Sequence, residues 1–117
     1  MISAITRTEL QALLTEGTVT LVDALPQSYY DQQHLPGAVN LVEGDVIALA
    51  PTLLADKTRT VVTYCSNASC GNSKSVANLL VRLGYGDVRT YRDGIQDWVE
   101  AGLATETTSA VADVPPA

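Results

Sequence analysis

The chain has 117 residues, which is room for one domain of ordinary size and too few for two. Apolar residues make up 46% and charged residues 17%, a composition with enough hydrophobic material for a real core. Seven Lys and Arg against thirteen Asp and Glu give a net charge of −6, which argues against a general nucleic-acid binder or a protein that lies on an anionic membrane.

From the N-terminus, Thr6-Arg7-Thr8-Glu9 fits a capping box that opens a helix through Leu10, Leu13 and Leu14, ended by Gly17. Residues 19–23 (VTLVD) are strand-like, residues 27–33 read as a short helix after Pro26, and residues 38–41 form a brief strand. Residues 45–54 have a helical pattern that Pro51 interrupts. Residues 60–65 (TVVTYC) are β-branched and almost wholly apolar, which predicts a buried strand of a parallel sheet. In residues 73–83, Val76, Leu79, Leu80 and Leu83 fall on one helical face, while Lys74, Asn78 and Arg82 form a polar stripe. Gly84 ends that helix, residues 88–91 make another strand, and residues 95–101 a last short helix closed by Gly102. Strands alternating with helices call for an α/β fold with a parallel sheet and right-handed crossovers. Residues 105–117 hold two prolines and no large apolar side chain beyond valine, so they are predicted to be a disordered tail behind a domain of residues 1–104.

The first eleven residues lack both a basic start and an apolar run, so no signal peptide is expected. The longest apolar stretch, residues 46–55, is too short for a membrane span. The expectation is therefore a cytoplasmic protein with reduced thiols and no membrane or nucleic-acid partner. Two Cys and one His cannot make a four-ligand Cys/His zinc site without carboxylates, and one Cys pair is too few for a disulfide scaffold.

Residues 61–74 carry the chemistry. A buried strand ends at Cys65, a loop of small and polar residues follows, and a helix begins near Ser73. Ligand sites in parallel sheets lie at the carboxyl ends of strands. Such a loop turns backbone N–H groups inward and the helix adds its positive end, a cradle for an anion. A thiol placed there is expected to ionise at neutral pH, making Cys65 the candidate nucleophile. Ser66, Asn67, Ala68, Ser69, Gly71, Asn72, Ser73 and Lys74 are the candidate substrate-binding loop. Ser66, Asn67 and Ser69 are either donors to sulfur or ordinary turn residues. Cys70 is either a small packing residue or a resolving thiol that attacks a modified Cys65. Lys74 is either simply solvated or helps attract the donor. His34, Asp23 and Trp98 are expected to be structural. The acidic total also hides a basic segment, since residues 57–92 sum to +5 and everything else to −11.

These residues resemble the rhodanese (sulfurtransferase) family over roughly residues 3–104. Leu21-Val22-Asp23, Tyr30 and His34-Leu35-Pro36-Gly37-Ala38-Val39-Asn40 look like its first signature. Tyr64-Cys65 with the loop corresponds to the active-site turn, and Leu83-Gly84-Tyr85 with Val88 to the approach to the last strand. Gly94 to Trp98, then Ala101-Gly102-Leu103, resembles the closing signature. The resemblance implies a five-stranded parallel sheet flanked by helices on both faces, and an enzyme without a cofactor; the oligomeric state is not read from the chain, and a monomer is the expectation. It further implies that Cys65 carries sulfane sulfur as a persulfide from a small anionic donor such as thiosulfate, or from a low-molecular-weight or protein persulfide, to a thiophilic acceptor. The sequence departs from the family where Ala24-Leu25 follow Asp23 without an Arg, where Asp93 replaces a glycine in a turn that needs positive φ, and in a loop with no Arg. The loop is about two residues longer than a six-residue one and resembles a C-x-N-x-x-C subgroup. The alternatives are a thiol-redox or non-catalytic binding domain using Cys65 and Cys70, and a phosphatase or arsenate reductase, which the missing Arg disfavours.

Overall fold

In a computed structural model, which describes residues 2–108, the capping box at Thr6 is closed in both directions. The Thr6 hydroxyl accepts the Glu9 N–H at 3.1 Å, and the Glu9 carboxylate accepts the Thr6 N–H at 2.8 Å. The helix it opens, α1 (Arg7–Glu16), ends at Gly17 with φ +73°. Before it runs β1 (Ile2–Ile5), and after it follow β2 (Val19–Asp23), α2 (Gln27–Gln32) and β3 (Val39–Asn40). A single 3-10 turn (Glu43–Asp45) leads into α3 (Val46–Leu53), then β4 (Thr60–Tyr64), α4 (Asn72–Arg82), β5 (Val88–Tyr91) and α5 (Gly94–Glu100).

The five strands form one parallel sheet in the order β1-β5-β4-β2-β3. β4 is its central strand and has neighbours on both sides. Side chains alternate across a strand, so β4 serves both faces. Val61 packs with Val76, Ala77 and Leu80 of α4 and with Val46 and Ala50 of α3. Val62 and Tyr64 pack on the other face with Leu10 of α1 and Trp98 of α5. The sheet is thus covered on both faces, which explains the near-continuous apolar run of β4. The expected α/β architecture with five parallel strands is present.

Three local features differ from the sequence reading. β1 pairs with β5 although its own residues gave no strand signal; only Ile5 in it is fully buried. Pro51 lies within α3 near its C-terminal end, and the Tyr85 hydroxyl shares its proton between the Ala50 and Leu54 carbonyls at 3.2 and 2.6 Å. The first residues of the expected disordered tail are instead tied down. Glu106 and His34 exchange two backbone hydrogen bonds of 2.8 and 2.9 Å, and the Thr108 N–H and hydroxyl donate to Asp31. Counting apolar surface alone overlooked this polar strap; residues 109–117 lie outside the described residues. Among the described residues no helix is long and apolar enough to cross a membrane.

Candidate active site

Cys65 directly follows β4 at the carboxyl end of the sheet, and α5 pins the backbone there. The Ile95 N–H donates to the Cys65 carbonyl at 2.9 Å and the Gln96 N–H to the Ser66 carbonyl at 3.0 Å. Gly94, at φ +70°, makes this approach possible, because a Cβ on it would sit 2.5 Å from the Cys65 carbonyl oxygen and 2.6 Å from the Ser66 carbonyl group. Asp93 keeps φ at −70°, so the positive φ expected of it falls on Gly94.

The loop is braced by its own side chains. The Asn67 carboxamide oxygen accepts the Ser69 N–H at 2.9 Å, its nitrogen donates to Gln96 at 3.0 Å, and its carbonyl accepts the Cys70 N–H at 3.0 Å. Asn67 is therefore a turn former, and it does not donate to sulfur. The Asn72 side chain points back toward the Ala24 carbonyl, 3.4 Å away. The Thr63 hydroxyl donates to the Ser73 carbonyl at 2.9 Å and fixes the first turn of α4 against the sheet.

This frame brings the two thiols together, and both are free. Cys65 is 1% exposed, with its sulfur 3.3 Å from the Cys70 carbonyl and 3.5 Å from the Ser73 hydroxyl. The contact between the two residues runs from the Cys65 sulfur to the Cys70 backbone carbonyl. Burial pushes the Cys65 thiol above its ordinary pKa and the bond to Cys70 adds to this, while the Ser73 hydroxyl and N–H offset only part of it. Burial pushes Cys70 up as well. The Cys65 thiol, the Asn72 and Ser66 N–H groups and the Ser66 hydroxyl outweigh that and hold Cys70 below the ordinary thiol value. Contrary to the expectation of an ionised Cys65, burial favours its protonated form.

Cys70 also lines a cavity of about 520 Å³, together with Ser73 and Lys74 of α4, Thr90 of β5, Arg92 just after it, and Ile2 and Ala4 of β1. Ala68, Ser69 and Gly71 complete its rim, whereas Cys65, Ser66, Asn67 and Asn72 do not face it. The basic segment divides accordingly. Lys74 and Arg92 face the cavity; Lys57 donates to the Leu83 carbonyl, Arg59 to Thr20, Gly17 and Val19, and Arg89 pairs with Asp87. Arg92 is the site residue the sequence reading did not single out, although its place one step beyond a strand's carboxyl end was a usable signal.

The remaining named residues hold structure. Asp23, fully buried, accepts the Tyr64 hydroxyl at 2.7 Å and the Leu25 N–H at 2.8 Å, and the Tyr64 oxygen accepts the Leu35 N–H at 3.0 Å. The Nδ1 of His34 meets the Tyr30 carbonyl at 2.7 Å and its ring stacks on Tyr30 at 3.8 Å. The Trp98 indole N–H donates to the Ala104 carbonyl at 2.8 Å. Among the described residues no three His, Cys, Asp or Glu side chains are placed to hold a metal ion.

The family described as Rhodanese-like domain matches residues 6–101. A curated relative, the HTH-type transcriptional regulator Rv0324 of Mycobacterium tuberculosis, is 33% identical over 108 residues, 92% of this chain; the chain spans 46% of that relative's length. Among solved structures, the rhodanese-like domain of the Alr3790 protein from Anabaena superposes with a TM-score of 0.77 at 23% identity, covering 100% of this chain and 89% of that one. A rhodanese from E. coli with anions gives 0.63 at 25% identity, over 76% and 98% of the two chains. A thiosulfate sulfurtransferase from Pseudomonas aeruginosa gives 0.76 at 22% identity, over 92% of this chain and 20% of that one.

Proposed function

The chain belongs to the rhodanese-like domain family, and on that premise we propose that it is a sulfurtransferase that carries sulfane sulfur as a persulfide on Cys65. One observation carries this reading: a buried thiol at the carboxyl end of the central strand, bonded to the first turn of α4 and beside a cavity faced by two cations. With thiosulfate as donor, the Cys65 thiolate attacks the outer sulfur, the S–S bond of the donor breaks and sulfite leaves. A thiolate or cyanide then attacks the outer sulfur of the persulfide and releases the Cys65 thiolate. The loop amides favour the negative outer sulfur, as an oxyanion hole favours developing charge. Because Cys65 is buried and the cavity is lined by Cys70 instead, loading requires the loop around Cys70 to give way. The donor class that fits Lys74 and Arg92 is a small anion, and the cytoplasm is the compartment that would keep both thiols reduced.

The test is a donor screen with thiosulfate and glutathione persulfide, read as thiocyanate or acceptor persulfide formed. Wild type should turn over and Cys65→Ser should lose transfer to background. Full transfer by Cys65→Ser, or none by wild type with either donor, would overturn the proposal.

A second reading, a thiol sensor, has the contact between the two cysteines in its favour, together with the regulator as a relative. It predicts a 2 Da loss on treatment with peroxide and no sulfur uptake from any donor.

A further inference from the structure

Persulfide transfer through Cys65 requires only one thiol, yet the loop places a second free cysteine against it, with the Cys65 sulfur 3.3 Å from the Cys70 carbonyl and Cys70 lining the adjoining cavity. From that arrangement we infer that Cys70 is an internal resolving nucleophile, so that in the absence of an external acceptor the protein discharges its Cys65 persulfide as hydrosulfide and closes a Cys65–Cys70 disulfide. The inference rests on the sulfurtransferase reading and adds to it a second activity, reductive release of sulfide.

Three features of the site support it. The Cys65 sulfur lies against Cys70, and Cys70 lines the cavity that Cys65 does not face, so an outer sulfur added to Cys65 meets Cys70 on the cavity side. A loaded Cys65 and a seated Cys70 therefore compete for the same space, and relief of that competition favours expelling the outer sulfur. Against its burial, the Asn72 and Ser66 N–H groups favour the ionised form of Cys70, the form that attacks a disulfide-type bond. The sulfur that leaves is an anion, and the cavity beside Cys70 offers it Lys74 and Arg92 on the way to solvent. A packing cysteine would need none of these, and a smaller side chain would serve equally in a half-exposed loop.

The step balances within the site. Cys70 attacks the inner sulfur, the Sγ of Cys65; the Cys65–Cys70 bond forms and the bond from Cys65 to the outer sulfur breaks. The electron pair goes with the outer sulfur, which keeps the persulfide proton and departs as hydrosulfide. The two thiol sulfurs are oxidised to a disulfide and the sulfane sulfur is reduced to sulfide. A dithiol reductant then restores both thiols, so that the overall reaction consumes one dithiol per sulfide released.

Wild type, Cys70→Ser and Cys70→Ala would each be incubated with thiosulfate and no acceptor, with whole-protein mass and trapped sulfide as readouts. Wild type should release one equivalent of sulfide and end 2 Da lighter, and dithiothreitol should return it to its starting mass. Both Cys70 variants should gain 32 Da and release no sulfide, and a melting curve matching wild type confirms that they are folded. A wild type that keeps its added 32 Da without releasing sulfide would overturn the resolving role while leaving the sulfurtransferase reading intact. Cys70 variants that take up no sulfur from thiosulfate or glutathione persulfide would overturn both.

Discussion

At Gly94, two requirements of the site meet in one residue. Its φ of +70° costs an L-residue about 1–2 kcal/mol, and a Cβ there would press on the Cys65 and Ser66 carbonyls at 2.5 and 2.6 Å. Gly94→Ala should therefore cost about 2–4 kcal/mol of stability. It should also move the carbonyls that the Ile95 and Gln96 amides hold, so transfer should fall further than the melting shift accounts for. Urea unfolding combined with transfer rates of the folded fraction checks this; an unaltered rate per folded molecule would show that Gly94 is structural alone. Cys65 itself was legible in the sequence because a thiol ending an apolar strand before a small-residue loop has few other uses. Its protonation was not legible. Whether a thiol beside amides ionises depends on its burial and on which neighbour the amides reach, and both are set by how the loop folds over Cys65.

Two elements supply the cations of the cavity. Lys74 lies in the first turn of α4 and Arg92 follows the end of β5, and the parallel register of β4 and β5 brings those two carboxyl-side loops together. Neither cation has a carboxylate partner among the described salt bridges. Lys74→Ala and Arg92→Ala should each raise the KM for thiosulfate about 3–10-fold with a smaller effect on kcat, an effect that added salt weakens. Steady-state rates at two ionic strengths decide it, and an unchanged KM in both variants would remove the cations from donor binding. The long amphipathic element α4 and the β-branched β4 were readable because their periodicity is imposed by packing on the sheet. β1 escaped because an edge strand with one neighbour and one fully buried side chain has almost no pattern to read. α3 continues through Pro51, and a hydroxyl distant in sequence, that of Tyr85, bonds the Ala50 and Leu54 carbonyls at its end.

For the molecule as a whole, two carboxylates pull stability in opposite directions with pH. The Tyr91 hydroxyl and Arg7 hold Asp97 below the usual carboxylate range, against a smaller upward effect of burial, and so tie α1 and β5 to α5. Its folded pKa lies below its unfolded one, so its contribution is complete above pH 3.8 and is lost as pH falls through the folded value. Asp23 behaves in the reverse way: burial pushes its pKa up more than the Leu25 N–H, the Tyr64 hydroxyl and His34 bring it down. Its contribution is complete below pH 3.8 and declines as pH rises through the raised folded value. Asp97→Asn should therefore destabilise the protein more at pH 7 than at pH 3. Asp23→Asn, which fixes a neutral side chain beside Tyr64, should do the opposite and be tolerated better at pH 7 than at pH 3. Urea midpoints of both variants at the two pH values, each against wild type, test the pair. If both variants moved the same way with pH, the opposed roles of the two carboxylates would be wrong.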